Sequence, residues 1–413
     1  MKRIISLCFA GFFATSLLAQ SNVAAGIKFY GGSWKELLDS AGKSNKMIFV
    51  DVYTDWCGPC KYMDKHIFSQ QAVGRKYNET FLSYKLNAEK EEGIDLAKKY
   101  AVGAYPTFLF LNSAGYLIYK VVGEREEKDF VNLVTEAKKQ EADANNLGNM
   151  EQMFSNGNRD PLFLRSYLER LAEMQMNNNE ALDAYFNILT DEQLNQDSTM
   201  IYLARHIKGT GTIVASYFID HYDQLAETSK AKITNVLFGN LIRRQGIQSL
   251  SEKRLLEYSM LRKFSDKLVG LDSRQKSILN RLDLIYGGLV KDYDLIKKAG
   301  YAYTRGLLSI PIDSIRREDQ RRFEKAMQPF VSGELDSTKI DDFEEEKKYM
   351  INIYSREISS KLHETAEAFT RLPSAEKQAL KDALTWATKC GELMQDPKVS
   401  KKNIETLERK INE

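Results

Sequence analysis

The chain has 413 residues, 43% hydrophobic and 28% charged, the balance of an ordinary globular protein rather than a disordered or membrane-spanning one. Its 59 Lys and Arg against 57 Asp and Glu give no electrostatic reason to expect nucleic acid or an acidic membrane surface as a partner. The length exceeds what one hydrophobic core usually sustains, so two or more folded units are expected.

Residues 1–19 read as a secretory signal peptide: Lys2 and Arg3 precede an apolar run from Ile4 to Leu18, and small residues follow. Cleavage after Ala19 or after Ala25 fits. The alternative is an uncleaved anchor, for which the run is shorter than the roughly 20 apolar residues that span a bilayer. The expected location is the periplasm or another extracytoplasmic compartment. Of the four cysteines, Cys8 falls in this segment, which leaves Cys57, Cys60 and Cys390. A disulfide-scaffolded exported protein would carry several separated pairs, so one tight pair needs another explanation.

From about residue 26 to 142, short strand-like and helix-like stretches alternate, which predicts an α/β layer architecture. Ser33-Trp34-Lys35-Glu36 has capping-box spacing and starts a helix. Met47 to Tyr53 is a compact β-rich run that reads as a central strand, followed by a helix from Cys57. Phe81 to Leu86 is a second strand, Ile94 to Tyr100 a short helix and Thr107 to Leu111 a third strand. Asn112-Ser113-Ala114-Gly115 turns into a fourth strand, Tyr116 to Val122. Phe130, Leu133 and Val134 place a closing helix after Glu126. The Asn- and Gly-rich stretch 143–158 has no sustained periodicity and reads as a linker. Beyond it, residues 159–413 are expected to be all helical: Leu164, Leu168 and Leu171, then Leu182, Tyr185, Phe186 and Leu189, then Ile351, Ile358, Leu362 and Phe369, then Leu380, Leu384 and Ala387 fall at helical intervals. A helical bundle and a tetratricopeptide-like α-solenoid both fit, the second on a faint echo in Ala383, Trp386 and Ala387.

A C-x-x-C pair directly after a buried strand puts its first cysteine at a helix N-terminus, where unpaired N–H groups and the helix dipole favour the thiolate. Cys57 is therefore the expected nucleophile, forming a mixed disulfide with a substrate. Cys60, one turn further in, is placed to attack that bond and release the reduced product. Gly58 and Pro59 permit the tight turn and start the helix without wasting a donor.

With these residues the chain resembles the thioredoxin superfamily, and the likeness covers roughly residues 30 to 138. The run Trp56-Cys57-Gly58-Pro59-Cys60-Lys61 is identical to the typical thioredoxin active-site run. The resemblance implies that Asp51 is the family's buried aspartate, which helps move the proton of the resolving cysteine, and that Lys85 is the lysine beside it. It implies that Tyr105-Pro106-Thr107 is the cis-proline loop facing the cysteines, and that Trp56, Gly58, Pro59, Tyr105, Pro106 and Gly123 form the substrate-binding surface. Two departures stand out. Tyr105 replaces a smaller aliphatic residue, so thioredoxin's broad substrate range does not carry over. The stretch from Met63 to Phe81 is more similar to exported thioredoxin-like reductases than to cytosolic thioredoxin.

Other readings of the cysteine pair are weaker. Zinc needs two further ligands, and His66 is the only histidine between residues 26 and 142. A static disulfide would not call for Asp51, Lys85 and Pro106 as well. Cys390 shares a helical face with Ala383 and Ala387, as a buried core thiol would. His206, His221 and His363 are scattered and receive no role. Asn78-Glu79-Thr80 is a glycosylation sequon only where the compartment glycosylates. No metal and no cofactor are expected.

The Gly58-Pro59 insert favours the reducing end of a range that runs from about −270 mV to about −120 mV. The expected function is an exported oxidoreductase that reduces or isomerises disulfides of protein substrates, is recharged by a membrane-bound electron donor, and uses its helical region for partner selection. The alternative is a helical interaction scaffold with a thioredoxin-like docking module of little catalytic activity.

Overall fold

The computed structural model describes residues 26–337, 343–396 and 398–413; the expected signal peptide, 1–19, lies outside them. The described residues form two compact units whose sequences join at Ala181 and Leu182.

The first unit is built on a four-stranded sheet of order β2-β1-β3-β4, with β1 Met47–Tyr53, β2 Phe81–Asn87, β3 Thr107–Leu111 and β4 Leu117–Val122. β1 runs parallel to β2 and antiparallel to β3, which pairs antiparallel with β4. The helices are α1 Trp34–Ser44, α2 Gly58–Tyr62, α3 Gln71–Thr80, α4 Glu92–Lys99 and α5 Glu127–Ala142, with a π-helical turn Met63–Ile67 continuing α2. This is the α/β thioredoxin fold, a mixed sheet flanked by helices. The capping box forms: Ser33 Oγ accepts from Glu36 N and Glu36 Oε2 accepts from Ser33 N.

β1 lies between β2 and β3, so the inner residues Ile48 to Val52 are buried. That explains a near-continuous apolar run in place of alternation. Phe49 sits within a cluster of rings, 4.8 Å from Tyr77, 5.4 Å from Phe110 and 5.8 Å from Phe130. Tyr77 stacks on Phe130 at 4.5 Å and donates its hydroxyl to the Phe130 carbonyl at 2.8 Å. Each such ring contributes roughly 1.5–3 kcal/mol on burial, and together they fix the sheet that carries the site.

Segment 143–158 holds a helix, α6 Leu147–Ser155, where a linker is expected from composition. Asn146 caps it by accepting from Asn149 N at 2.9 Å while its own amide donates to the Asp143 carbonyl at 2.9 Å. Leu147 and Met150 are buried three residues apart, a repeat too short to register as a period. Gly148 lies so close to Tyr116 that a Cβ would stand 2.9 Å from the Tyr116 Cβ. The next helix, α7 Pro161–Glu173, is capped by Asp160. It is tied back by the Phe154–Tyr167 ring contact at 5.3 Å and the Arg170–Asp143 ion pair at 2.7 Å. The first unit therefore runs to Ala181 and includes two helices beyond the thioredoxin fold itself.

The second unit is mostly helical. Helices Ser273–Val290 and Tyr293–Thr304 pack on each other, as do Ile353–Phe369 and Lys377–Met394, with Lys401–Asn412 against the latter. Leu362, Phe369, Leu380, Ala383, Trp386, Ala387 and Cys390 form its core. Gly300 permits the close approach of Tyr293–Thr304 to Ile353–Phe369, since a Cβ there would fall 2.3 Å from the Phe369 ring. Ile351 departs from its expected place: it precedes the helix and is 45% exposed. Cys390 is a fully buried free thiol donating to the Ser359 carbonyl at 3.3 Å. Among the described residues, no helix is long and apolar enough to cross a membrane.

Candidate active site

β1 ends at Tyr53 and the chain turns through Thr54, whose carbonyl accepts from Cys57 N at 3.2 Å. Cys57 is the N-cap of α2, in extended conformation, and its Sγ accepts from Cys60 N at 3.1 Å. Gly58 and Pro59 occupy the first two helical positions, where no intrahelical donor is needed. Cys57 and Cys60 are joined as a disulfide, with Cα atoms 5.3 Å apart. Both cysteines are only 3% exposed, while Gly58 and Pro59 between them face solvent.

Trp56, 66% exposed, donates its indole N–H to Glu89 Oε1 at 2.9 Å and meets the Tyr105 ring edge-on at 5.9 Å. The Tyr105–Pro106 peptide is cis, and the Pro106 carbonyl accepts from Gly123 N at 2.8 Å. Gly123 has φ +90°, which a side chain would strain. Trp56, Tyr105, Pro106 and Gly123 thus form a connected set of contacts, with Tyr105 half-buried against the exposed indole.

Asp51 pairs in register with Lys85 on β2 and Phe108 on β3. Its side chain is 1% exposed, and neither carboxylate oxygen has a hydrogen-bond partner of normal geometry. The Lys85 Nζ stands 3.3 Å from Oδ2 as an ion pair. Burial pushes the Asp51 carboxyl up to about 7; Lys85 opposes the rise and the nearby Asp64 carboxylate adds to it. The Lys85 ammonium also pairs with Asp64 and lies over the rings of Tyr53 at 4.9 Å, Phe29 at 5.2 Å and Phe68 at 5.6 Å. A dithiol at a helix head, six residues along the chain from a buried carboxyl able to change charge near neutral pH, is suited to thiol-disulfide exchange coupled to proton transfer.

Sequence reasoning missed Asp64 and Glu89. Asp64 lies seven positions after Cys57, a spacing with no meaning until the π-helical turn brings it to Lys85. Glu89 follows the strand that bears Lys85 and reads as a solvated charge. The Asn78 of the sequon is engaged in the fold, donating to the Gly26 carbonyl at 3.1 Å and accepting from Lys28 N at 2.8 Å. Among the described residues, no cluster of His, Cys, Asp and Glu could hold a metal ion.

A thioredoxin family model matches residues 28–136. Thioredoxin H4 of Arabidopsis thaliana is 35% identical over 94 residues, 23% of this chain and 74% of that protein. Protein disulfide isomerase-like 2-2 of Oryza sativa subsp. japonica is 36% identical over 92 residues, 22% of this chain and 24% of that one. Among solved structures, a putative disulphide-isomerase from Bacteroides thetaiotaomicron is 40% identical and covers 28% of this chain and 96% of its own, with a TM-score of 0.27. Fold and site define a thiol-disulfide oxidoreductase. The chain belongs to the thioredoxin family, through its first unit.

Proposed function

We propose that this protein works outside the cytoplasm, reducing or isomerising disulfides in other polypeptides. Cys57 attacks the substrate disulfide and Cys60 resolves the mixed disulfide, with Asp51 and Lys85 managing the proton. Trp56, Gly58, Pro59, Tyr105, Pro106 and Gly123 hold the substrate chain. The observation that carries this reading is the Cys57–Cys60 pair at the head of α2, the helix that follows the strand bearing the buried Asp51. The basic and apolar start of the sequence supports the extracytoplasmic location. The Gly58-Pro59 insert supports the reducing direction, which requires a membrane-bound electron donor in that compartment.

The half-buried Tyr105, in ring contact with Trp56, would restrict the choice of substrate, and the helical unit would add partner selection. A Cys60→Ala variant expressed in its own compartment should accumulate mixed disulfides through Cys57, and the linked proteins would be the substrates. Recovery of no linked protein would overturn the thiol-exchange reading. Equilibration of the purified protein with glutathione should give a potential well below about −150 mV; a higher value would make it an oxidant.

A further inference from the structure

The Lys85 ammonium is shared between two carboxylates on opposite sides of the burial boundary. One is Asp51, 1% exposed; the other is Asp64, 47% exposed at the rim. The hydrogen bond goes to Asp64, while Asp51 is left at ion-pair distance with both oxygens unpartnered. A buried carboxylate without a hydrogen bond is a costly arrangement, and here the donor that could relieve it stands 3.3 Å away, turned to another acid. The faces of Tyr53, Phe29 and Phe68 surround the ammonium and limit where it can move.

We propose that Asp64 is a positioning residue for thiol-disulfide exchange, which draws the Lys85 ammonium to the rim and leaves both oxygens of the buried Asp51 free for the proton of Cys60. The inference rests on the reading that Asp51 handles that proton. In the resolving step the Cys60 thiol passes its proton to the Asp51 carboxylate. The Cys60 sulfur then attacks the Cys57 sulfur; the Cys57–substrate bond breaks as the Cys57–Cys60 bond forms, and the electron pair leaves on the substrate sulfur, which takes up a proton. Across the cycle two protein thiols are oxidised and one substrate disulfide is reduced to two thiols.

The titratable groups around Asp51 are Lys85 from β2, Asp64 from the π-helical turn and Tyr53 of its own strand under the ammonium; the proposed function adds the Cys60 thiol of α2 once reduced. β3 brings none, since Thr107 to Leu111 carries no ionisable side chain. Asp64 acts on Asp51 in two ways with the same sign. Its charge adds to the rise in the Asp51 carboxyl, and it competes with Asp51 for the Lys85 ammonium, which lowers it.

The test uses the full-length protein, reduced and mixed with Ellman's reagent, so that release of the second thionitrobenzoate reports attack by Cys60. The midpoint of its pH dependence should lie near the Asp51 value of about 7. In Asp64→Asn it should fall by about one pH unit, because Lys85 is then free to bond Asp51. Asp64→Glu should restore the wild-type midpoint, which a merely structural role would not require. A carbon-13 NMR titration of the Asp51 carboxyl in the oxidised protein should show the same fall without turnover. If Asp64→Asn leaves both midpoints within about 0.3 unit of wild type, the role of Asp64 is overturned. If Asp51→Asn also leaves the kinetic profile unchanged, the failure belongs to the reading of Asp51 instead.

Discussion

Three acidic residues are buried among the described residues, and the two units treat them in opposite ways. In the helical unit, Asp283 accepts from the Tyr258 hydroxyl at 3.0 Å and from Arg262 Nε at 2.9 Å. Asp319 accepts from the backbone of Tyr354 at 2.7 Å and Ser355 at 3.1 Å, and from the Ser355 hydroxyl at 2.5 Å. In the thioredoxin unit, Asp51 is as deeply buried and accepts nothing. A satisfied buried carboxylate ties helices together; an unsatisfied one is unstable and reactive, and natural proteins keep such groups where chemistry uses them. The contrast separates a unit whose polar core is scaffolding from one whose polar core is a site.

The sharpest way to break the contrast is at the sulfurs. Cys57→Ser should lower insulin-reduction turnover by at least about a thousandfold, since the nucleophile is lost. Cys390→Ser, in the helical core, should leave it unchanged. Equal loss in both variants would place chemistry in the helical unit.

Trp386→Ala should destabilise the helical unit by about 3–5 kcal/mol through the cavity left between Phe369 and Tyr301. The Cys57–Cys60 potential, measured below the new unfolding midpoint, should not move. A shifted potential would mean that the two units are coupled.

For Asp51 the effect depends on pH. The carboxyl is raised from an ordinary 3.8 to about 7, so the fold holds its proton more tightly than the unfolded chain does. Below about pH 4 both states are protonated and the residue is neutral to stability; between about pH 4 and 7 stability is lost as pH rises, reaching a deficit of about 4 kcal/mol. Asp51→Asn should therefore stabilise the protein by up to about that amount at pH 8 and by little at pH 4, read from urea midpoints. A gain that does not depend on pH would remove the charge as its cause. The smallest effect is at the α1 cap: Ser33→Ala should cost about 1 kcal/mol in urea unfolding, with turnover unaltered.

Much of the first unit was legible in the residues. Met47 to Tyr53 and Thr107 to Leu111 stand where their β-rich runs place them, and Ser33 with Glu36 marks the start of α1. These are local signals, in which a few neighbouring side chains decide the backbone. The helix in 143–158 was not legible, because its Asn146 cap is hidden in an Asn- and Gly-rich stretch that composition reads as a linker and its Gly148 packs on Tyr116, a residue distant in sequence. Ile351 failed for the opposite reason: its spacing matches a helix whose first residue is Ile353.

The sequence by itself determined the dithiol, the order of strands and helices around it and the helical character of the rest, because each depends on residue type and short spacing. Only the tertiary structure decided where the first unit ends, which ring Trp56 leans on and which carboxylate holds Lys85. Those depend on groups distant in sequence that folding brings within a few ångströms, and no local pattern records that approach.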